Sequence, residues 1–407
     1  MSELSYLEKL LDGVEVEWKM LGEVIHSLKT GLNPRQNFSL NTLDAQGYYV
    51  TVREIQNGKV VFLDKTDRVN DRALKIINGR SNLEAGDILF SGTGTVGRIA
   101  VIEENPINWN IKEGVYTIKP IKKKIAPRFL SYLLQSSKIV KDYSKKIVGN
   151  PVISLPMGDL KKLLIPIPCP DNPEKSLAIQ SEIVRILDKF TALTAELTAE
   201  LTMRKKQYNY YRDQLLCFDE AEVEWKTLGD LGENLDSKRK PITSGLREAG
   251  SIPYYGASGI VDYVKDYIFD GDFLLISEDG ANLLARNTPI AFSISGKSWV
   301  NNHAHVIKFD SYAERRYVEY YLNSIDLSPY ISGAAQPKLN KKNLESIRIP
   351  NPSPEDKERI VSILDKFDAL TNSINEGLPR EIELRQKQYE HYRDLLFSFP
   401  KPEAASN

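Results

Sequence analysis

Apolar residues recur at steps of three and four along two long segments of the chain. Such spacing places them on one face of a helix, and its persistence over several turns is typical of a seam that packs against another helix. The seam of the first segment, residues 177–216, consists of Ile179, Ile183, Ile186, Phe190, Leu193, Leu197, Leu201, Tyr208, Tyr211 and Leu215. The seam of the second consists of Ile360, Ile363, Phe367, Leu370, Ile374, Tyr389, Tyr392 and Leu396. The sequence Gly377-Leu378-Pro379 interrupts the second segment and predicts a kink or a break.

The stretch that precedes each predicted helix has a different pattern. It contains short β-type runs bounded by Gly, Asn and Asp, and then a helix-like stretch, at 127–142 in the first copy and at 313–325 in the second. Each stretch therefore predicts a mixed α/β domain with a curved sheet. The β-type runs are VVFL (60–63), DILFS (87–91), RIAVIEE (98–104), DYIFD (266–270), DFLLIS (272–277) and PIAFSIS (289–295).

Three blocks of sequence occur twice, and their order is circular. EIVRILDKFTALT (182–194) returns at 359–371, RKKQYNYYRDQLLCF (204–218) at 385–399, and EVEWKMLG (15–22) at 222–229. In the middle of the chain the second block leads directly into the third, whereas at the C-terminus its expected continuation stands at the N-terminus. The repeat therefore predicts that residues 10 and 400 lie close together, with pseudo-two-fold symmetry.

The expected fold class is α+β, with two mixed α/β domains separated by two long antiparallel helices. The alternative is that each helix only caps its own domain. The predicted layout is an N-terminal conserved segment (1–22), a first domain (23–168), a helical spacer (169–218), a second domain (219–350) and a second helical spacer with a tail (351–407).

The charge is unevenly distributed along a chain whose net charge is −1. Residues 23–165 carry 22 lysines and arginines against 13 acidic residues, whereas residues 219–349 carry 15 against 19. A basic first half fits DNA as a partner, although a solvated basic surface explains it equally well. The two cysteines, the absence of an apolar leader and the absence of long uncharged apolar runs predict a cytoplasmic protein with no membrane segment.

The motifs that carry enzymatic chemistry are missing or out of context. Residues 92–97 read Gly-Thr-Gly-Thr-Val-Gly, but a β-type run follows, so a hairpin turn is favoured over a dinucleotide site. The sequence has no phosphate-binding GxxxxGK[ST] motif, no Asn-Pro-Pro-aromatic tetrapeptide of amino-methyltransferases and no Gly-x-Ser-x-Gly elbow. His303 and His305 could bind a metal, but no third ligand is evident nearby, so contact with DNA or packing is favoured. We expect no catalytic site and no metal.

The arrangement of two variable domains and duplicated helices resembles the specificity subunits of type I restriction–modification enzymes, most of all the type IC subfamily. The resemblance covers essentially the whole chain. It is carried by LLDGVEVEW (10–18), by the central segment IPIPCPDNPEKSLAIQSEIVRILDKFTALTAELTAEL (165–201), and by RQKQYEHYRDLLFSFPKPE (385–403). The variable domains resemble the family only in general pattern.

The resemblance implies that each variable domain reads one half of a split, asymmetric site on double-stranded DNA. The helices would act as a ruler for the gap and would dock two modification subunits, which hold S-adenosylmethionine and methylate adenine N6. Two restriction subunits would supply ATP-driven translocation and cleavage, with Mg²⁺. This chain itself would bind no cofactor.

A tandem repeat within the first helix supports the ruler interpretation. Thr194-Ala-Glu-Leu197 is followed at once by Thr198-Ala-Glu-Leu201. Four helical residues correspond to about 6 Å and about 40°. One base pair advances DNA by about 3.4 Å and about 35°, so the rotation nearly matches one base pair. An accidental tandem in an ordinary amphipathic helix is the alternative.

Contacts with DNA are nominated from polar residues in predicted loops, because Arg, Lys, Asn and Gln suit base edges or phosphates and Tyr suits sugars or base faces. Solvated loop residues without a role are the alternative for each. The nominations are Lys29, Thr30, Asn33, Arg35, Ser91, Thr93, Thr95 and Arg98 in the first domain, and Lys238, Arg239, Tyr255, Ser258, His303, Gln336 and Lys338 in the second.

Two other functions remain open from the sequence. A stand-alone, bivalent nucleic-acid-binding protein would bind its site tightly without enzymatic partners. A fused methyltransferase or nuclease is disfavoured by the missing motifs, and we expect the chain alone not to bind S-adenosylmethionine.

Overall fold

The computed structural model of the chain describes residues 6–34, 37–333, 336–373 and 376–400. Its contacts divide the chain into two units, residues 1–196 with 382–407, and residues 197–381. Each unit therefore contains one mixed α/β region and parts of the long helices. None of the described helices is long and apolar enough to cross a membrane.

The helices and strands follow the predicted order. The helices are α1 (Tyr6–Leu11), α2 (Asp71–Arg80), α3 (Pro127–Leu134), α4 (Ser137–Ser144), α5 (Met157–Lys161), α6 (Pro173–Leu215), α7 (Leu228–Leu231), α8 (Asn282–Ala285), α9 (Tyr312–Ser324), α10 (Lys341–Glu345), α11 (Pro354–Thr371) and α12 (Gly377–Leu396). The strands are β1 (Val16–Met20), β2 (Ile25–Thr30), β3 (Gly47–Val50), β4 (Ile55–Gln56), β5 (Lys59–Val60), β6 (Arg68–Val69), β7 (Ile88–Ser91), β8 (Ile99–Val101), β9 (Trp109–Ile111), β10 (Val115–Pro120), β11 (Leu164–Pro168), β12 (Glu224–Thr227), β13 (Glu233–Asn234), β14 (Ala249–Gly256), β15 (Gly259–Val264), β16 (Phe269–Ser277), β17 (Ala291–Val300), β18 (Ala304–Lys308) and β19 (Arg348–Asn351).

The first unit is built around an antiparallel sheet with the strand order β2-β10-β7-β8. Helix α3 covers it, since Phe129, Leu130 and Leu133 are buried in one cluster with apolar residues of these strands. The predicted strand at 60–63 was wrong beyond Val60. Phe62 instead stacks on Tyr48 with ring centroids 4.2 Å apart, so its apolar surface is covered by another ring rather than by a sheet.

The second unit is built around a six-stranded sheet with the order β13-β18-β16-β17-β14-β15. All neighbours are antiparallel except β14 and β17. Strand β16 contains the last two residues of the run predicted at 266–270 and the whole of the run predicted at 272–277. Gly271 joins them with a φ of 140°, a backbone conformation that a residue with a side chain rarely adopts.

The long helices pack on each other within each unit, as the seams predict. In the first unit Phe190 of α6 stacks on Tyr392 of α12, with ring centroids 5.3 Å apart. In the second unit Phe367 of α11 stacks on Tyr211 of α6 at 5.7 Å. The repeat relates Phe190 to Phe367 and Tyr211 to Tyr392, so the same contact occurs twice with the roles of the two copies exchanged. The alternative in which each helix only caps its own domain is therefore excluded.

The predicted break in the second long segment is confirmed. Helix α11 ends at Thr371 and α12 begins at Gly377, which has a φ of 75°. A Cβ at Gly377 would lie 2.3 Å from the carbonyl oxygen of Ala369, so the chain passes too close for a side chain. Ile374, a member of the predicted seam, lies outside the described residues.

The beginning and the end of the chain meet in the first unit. The indole Nε1–H of Trp18 donates to the carbonyl oxygen of Pro400 at 2.8 Å. Leu7 and Leu11 share a buried cluster with Phe397 and Phe399. The circular arrangement of the repeat is therefore confirmed, and these contacts take the place of the covalent connection that the repeat has in the middle of the chain.

Candidate nucleic-acid interface

The two units carry the same pair of loops at the end of their central strands. Strand β7 ends at Ser91, which pairs with Val115 of β10, and β16 ends at Ser277, which pairs with Ala304 of β18. We call residues 92–97 and 278–281, directly after these strands, the strand-end loops. We call residues 148–155 in the first unit, and 332–333 with 336–339 in the second, the clip loops. The strand-end loop of the first unit is the hairpin turn between the antiparallel strands β7 and β8, as its glycine pattern predicted.

Backbone hydrogen bonds join the two loops in the same way in both units. In the first, the amide of Leu155 donates to the carbonyl of Gly92, and that of Gly94 to Ile153, both at 2.8 Å. In the second, Leu339 donates to Glu278 at 2.8 Å and Gly280 to Pro337 at 3.2 Å. Each clip loop is also closed by a reciprocal pair of amide–carbonyl bonds, Val148 with Ser154 and Ser332 with Lys338. We refer to this shared set of bonds as the loop frame.

Glycines with positive φ stand at equivalent places in both loop frames. Gly94 and Gly280 have φ values of 78° and 103°. Gly149 and Gly333 have φ values of 103° and 82°, and a Cβ at either would lie 2.5 Å or less from a carbonyl oxygen of its own loop. Because these conformations favour glycine, the backbone path of both loops is tightly specified.

A side chain from the neighbouring strand anchors each clip loop, and its chemistry differs between the units. The hydroxyl of Tyr116 donates to the carbonyl oxygen of Leu155 at 2.8 Å. In the second unit the Nε2–H of His305 takes that place, 2.7 Å from the carbonyl oxygen of Leu339. Gly92 is required beside Tyr116, since a Cβ there would lie 2.0 Å from the ring. The smaller imidazole leaves room for Glu278 at the equivalent position.

A cluster of charged side chains lies beneath the loops of the second unit. The Nδ1 of His305 is 2.6 Å from Asp236, and Arg239 bonds Glu278 at 2.6 Å and Asp236 at 3.2 Å. Burial raises the pKa of both Asp236 and Glu278, but the hydrogen bonds and positive charges of His305 and Arg239 outweigh it, and the pKa of each carboxyl is lowered. The pair is therefore held in its charged form.

The same cluster has the composition of a metal site. Ligand atoms of Asp236, Glu278 and His305 lie within 4.8 Å of one another, and both residue types ligate transition metals. However, the guanidinium of Arg239 already bonds both carboxylates, and both ring nitrogens of His305 face oxygen acceptors. The geometry favours a charge cluster that holds the loops.

The structure places four of the eight residues nominated in the first domain in or beside the strand-end loop. Thr93, Thr95 and Arg98 lie in or beside the strand-end loop, with Thr95 and Arg98 exposed. Lys29 is exposed on β2. Asn33 is half-buried and donates to Glu113 at 2.9 Å.

Two nominated hydroxyls of the first domain point inward, and one nominated residue is not described. The hydroxyl of Ser91 is fully buried between the carbonyl of Thr95 and the amide of Arg98. Thr30 accepts from the amide of Gly114 at 3.0 Å. These contacts favour a role in shaping the turns rather than in touching DNA. Arg35 lies outside the described residues.

In the second domain three nominated side chains meet at two acids that the sequence analysis did not select. Arg239 and Lys338 both bond Glu278, and the Nδ1 of His303 is 2.8 Å from Asp279. Gln336 and Ser258 lie in loops, and Lys238 ends the short 3-10 helix Asp236–Lys238. Tyr255 packs on Phe292 with ring centroids 6.1 Å apart. His303 and His305 do not converge, because His303 is exposed and His305 is buried against Asp236.

The missed residues carried a signal in the sequence. The matched runs GDILFS and GDFLLIS, which end at Ser91 and Ser277, continue into the strand-end loops as Gly-Thr-Gly and Glu-Asp-Gly. Alignment of the shared Ser-x-x-Gly identifies Thr93 and Asp279 as equivalent positions. The sequence does not show that Ser154 of the first unit corresponds to Lys338 of the second. This equivalence is visible only in the hydrogen bonds of the loop frame.

Comparison with known proteins agrees with the duplicated architecture. The family model described as the type I restriction modification DNA specificity domain matches residues 14–203 and again residues 220–384. The chain therefore belongs to the family of type I restriction–modification DNA specificity subunits. It is a non-catalytic subunit, which acts in a complex with DNA and with modification and restriction subunits, and the cofactors of the complex belong to those partners.

Individual relatives match the chain over most of its length. The chain is 40% identical to the EcoR124I/EcoR124II specificity subunit of Escherichia coli over 100% of both chains. It is 39% identical to the EcoprrI specificity subunit of Escherichia coli, over 92% of this chain and 93% of the relative. Its fold is similar to the crystal structure of a type I restriction–modification S subunit from M. genitalium, with a TM-score of 0.56, 17% identity, and coverage of 96% and 98% of the two chains.

Proposed function

We propose that the chain reads a split, asymmetric site on double-stranded DNA, one half with each of its two target-recognition domains, residues 23–168 and 219–350. The observation that carries the proposal is the loop frame, which occurs once in each unit with the same backbone bonds and with different side chains. A protein that reads two unlike half-sites needs this combination of a shared support and divergent contact residues.

The nominated residues have the chemistry that such contacts need. Exposed Lys29, Arg98 and Lys238 can neutralise phosphates, a sequence-independent contribution that positions the protein on the duplex. Hydroxyl, amide and ammonium groups at the loops can bond base edges in the major groove. The remaining nominations around the loop frame stay part of the proposal as base or backbone contacts.

Helices α6, α11 and α12 would hold the spacing between the half-sites and dock the partners. We expect residues 169–218 and 351–407 to form these spacers. Thr194, Leu197, Thr198 and Leu201 lie within the continuous helix α6. We expect two modification subunits with S-adenosylmethionine and two restriction subunits with ATP and Mg²⁺, and a cytoplasmic location, where chromosomal DNA and these subunits meet.

The test is co-expression with the modification subunit of the same restriction–modification system in a host free of adenine methylation. N6-methyladenine is then mapped across the genome. We expect one split motif with two defined halves and a fixed gap. If a complex forms and no motif is methylated, the recognition role is wrong.

A stand-alone binding protein would behave differently in the same experiment. It would form no complex with the modification subunit and would bind its DNA site tightly alone. Equilibrium binding of S-adenosylmethionine to the purified chain gives a second check, because we expect binding only when the modification subunit is present.

A further inference from the structure

We infer that the base preference of each half-site is set by the side chains at two equivalent positions of the loop frame, Thr93 with Ser154 in the first domain and Asp279 with Lys338 in the second. This inference rests on the proposed function and assigns its specificity to particular residues. Ser154 and Asp279 are new as candidates, and the pairing of the four positions comes from the structure.

The equivalence of the positions follows from the hydrogen bonds on both sides of them. Thr93 and Asp279 each stand between the residue that accepts from the clip loop and the glycine that donates to it. Ser154 and Lys338 are each the residue that closes the clip loop through a reciprocal pair of bonds. In both units a bridge joins the two positions directly, Thr93 to Ser154 and Asp279 to Lys338. The side chains are therefore presented from matching points of a common backbone.

The chemistry at these points differs between the domains. The hydroxyls of Thr93 and Ser154 are 3.1 Å apart, and both are half-buried and neutral. In the second domain the side chain of Lys338 is 53% exposed with its ammonium 3.1 Å from Glu278, and Asp279 bonds the exposed ring of His303. Hydroxyls can donate and accept, whereas an ammonium only donates.

The position of the Lys338 ammonium suits contact with a base, because Glu278 orients it. Glu278 holds the ammonium from below and is itself bonded by Arg239 at 2.6 Å, so the acid stays paired when the lysine turns toward another acceptor. Because an ammonium donates to acceptor atoms such as guanine O6 and N7, we expect the second half-site to contain a guanine that Lys338 reads. The fixed loop backbone lowers the ordering cost of that contact.

The exposed face around the first pair supports the same assignment. Val148, Val152 and Ile153 of the clip loop are 56%, 63% and 38% exposed. These apolar side chains flank Ser154, and apolar contact with a thymine methyl group is one of the ways in which the major groove is read. The first domain therefore presents hydroxyls beside branched apolar side chains, in contrast to the charged groups of the second.

The experiment uses the complex of the chain with the modification subunits of its system and a DNA library in which both half-sites are randomised. Methylated molecules are selected and sequenced. Thr93→Ala with Ser154→Ala removes both hydroxyls and leaves the backbone bonds. Lys338→Gln removes the ammonium while Arg239 still pairs Glu278. We expect each variant to reduce discrimination by about tenfold or more at one or two positions of its own half-site, the effect typical of losing one base contact.

Each variant is controlled by the half-site that it should not affect. An unchanged second half-site in the Thr93→Ala/Ser154→Ala variant shows that the complex is folded and active, and the reverse holds for Lys338→Gln. Lys297→Gln is the matched lysine control, since Lys297 pairs with Asp270 at the far end of β16 from Ser277. It should leave both half-sites unchanged.

Three results would overturn the inference. Active variants with both half-sites unchanged would show that these side chains do not read bases. Loss of the complex with the modification subunits would identify the loops as a docking surface for protein instead. A wild-type complex that methylates no split motif contradicts the proposed function itself, and the inference then fails with it.

Discussion

At the scale of single residues, the two domains anchor equivalent clip loops with different side chains. The clip loop needs a donor beneath it, which is Tyr116 in the first domain and His305 in the second. The tyrosine is compatible only with glycine at position 92, and the histidine comes with the acids Glu278 and Asp236. The anchor of the first clip loop is therefore a single neutral hydroxyl, whereas that of the second belongs to a cluster with two charged carboxylates.

The charge cluster predicts a pH dependence that is confined to the second domain. The pKa of Asp236 is lowered from its ordinary value of 3.8. A carboxyl whose pKa is lower in the folded state than in the unfolded state stabilises the fold above the unfolded pKa, and this stabilisation is lost as the pH falls through the folded pKa. We expect Asp236→Asn to destabilise the second domain by about 1–3 kcal/mol at pH 7, and the difference from wild type to decrease as the pH falls below 3.8 and through the lower pKa of the folded state.

Urea unfolding followed by intrinsic fluorescence at several pH values measures this difference. Asp270→Asn, at the exposed start of β16, is the matched control and should leave the pH profile unchanged. A stability difference for Asp236→Asn that does not decrease as the pH is lowered further and further below 3.8 would contradict the role given to the Asp236 carboxylate.

The sequence predicted the residues of the loop frame only in part. Loop polarity was sufficient to nominate Thr93, His303 and Lys338, because exposed polar residues cluster where strands end. It did not separate Ser91 and Thr30, whose hydroxyls turn inward, from their exposed neighbours. The partner of a hydroxyl is chosen by strand register and loop path, which composition and spacing do not contain.

At the scale of elements, a recurring contact ties each domain to a long helix of its own unit. Tyr132 and Arg128 of α3 bond Asp188 of α6 at 2.6 and 3.2 Å. Tyr320 and Arg316 of α9 bond Asp365 of α11 at 2.6 and 2.9 Å. Asp188 and Asp365 occupy the same place in the repeated sequence Ile-Leu-Asp-Lys-Phe. Burial and the bond to Asp188 raise the pKa of Tyr132 to about 12, so its hydroxyl stays a donor at physiological pH.

The two copies of this contact should differ in strength. Arg316 is 13% exposed and is surrounded by Asp365, Asp368 and Glu319, whereas Arg128 is 49% exposed. We expect Asp365→Ala to destabilise the second unit by about 2–4 kcal/mol, because the O–H of the buried Tyr320 loses its acceptor and Arg316 loses one of its three acids.

The matched variant Asp188→Ala should destabilise the first unit by only about 1–2 kcal/mol, because the arginine there remains solvated. Thermal melts with hydrogen exchange of α3 and α9 as the local readout compare the two. Equal losses of stability in the two variants would show that burial of the arginine does not strengthen this contact.

The elements were predicted well where the pattern was long and periodic. The seams of α6, α11 and α12 and the break at Gly377 follow from apolar spacing and from a glycine and a proline close together in sequence. The strand predicted at 60–63 does not extend beyond Val60, because Phe62 packs on the ring of Tyr48, which is distant in sequence. The fusion of two runs into β16 depends on the unusual φ of Gly271, which a sequence pattern does not reveal.

At the scale of the whole molecule, the circular repeat accounts for the meeting of the two chain ends. The bond from Trp18 to Pro400 and the cluster of Leu7, Leu11 and Phe397 replace a peptide connection by packing. Helix α6 runs for 43 residues without interruption from Pro173 to Leu215. Because the helix is unbroken, the number of its residues sets its length. The tandem Thr-Ala-Glu-Leu lies in its middle.

Deletion of Thr198–Leu201 tests whether that length sets the gap between the half-sites. Removing four helical residues shortens α6 by about 6 Å and rotates the helix beyond the deletion by about 40°, close to the twist of one base pair, since a DNA turn takes about 10 base pairs. We expect a methylated motif with the same two halves and a gap shorter by one base pair. Thr198→Ala, which preserves the length, should leave the gap unchanged. Altered half-sites with an unaltered gap would mean that α6 supports the domains without measuring the DNA.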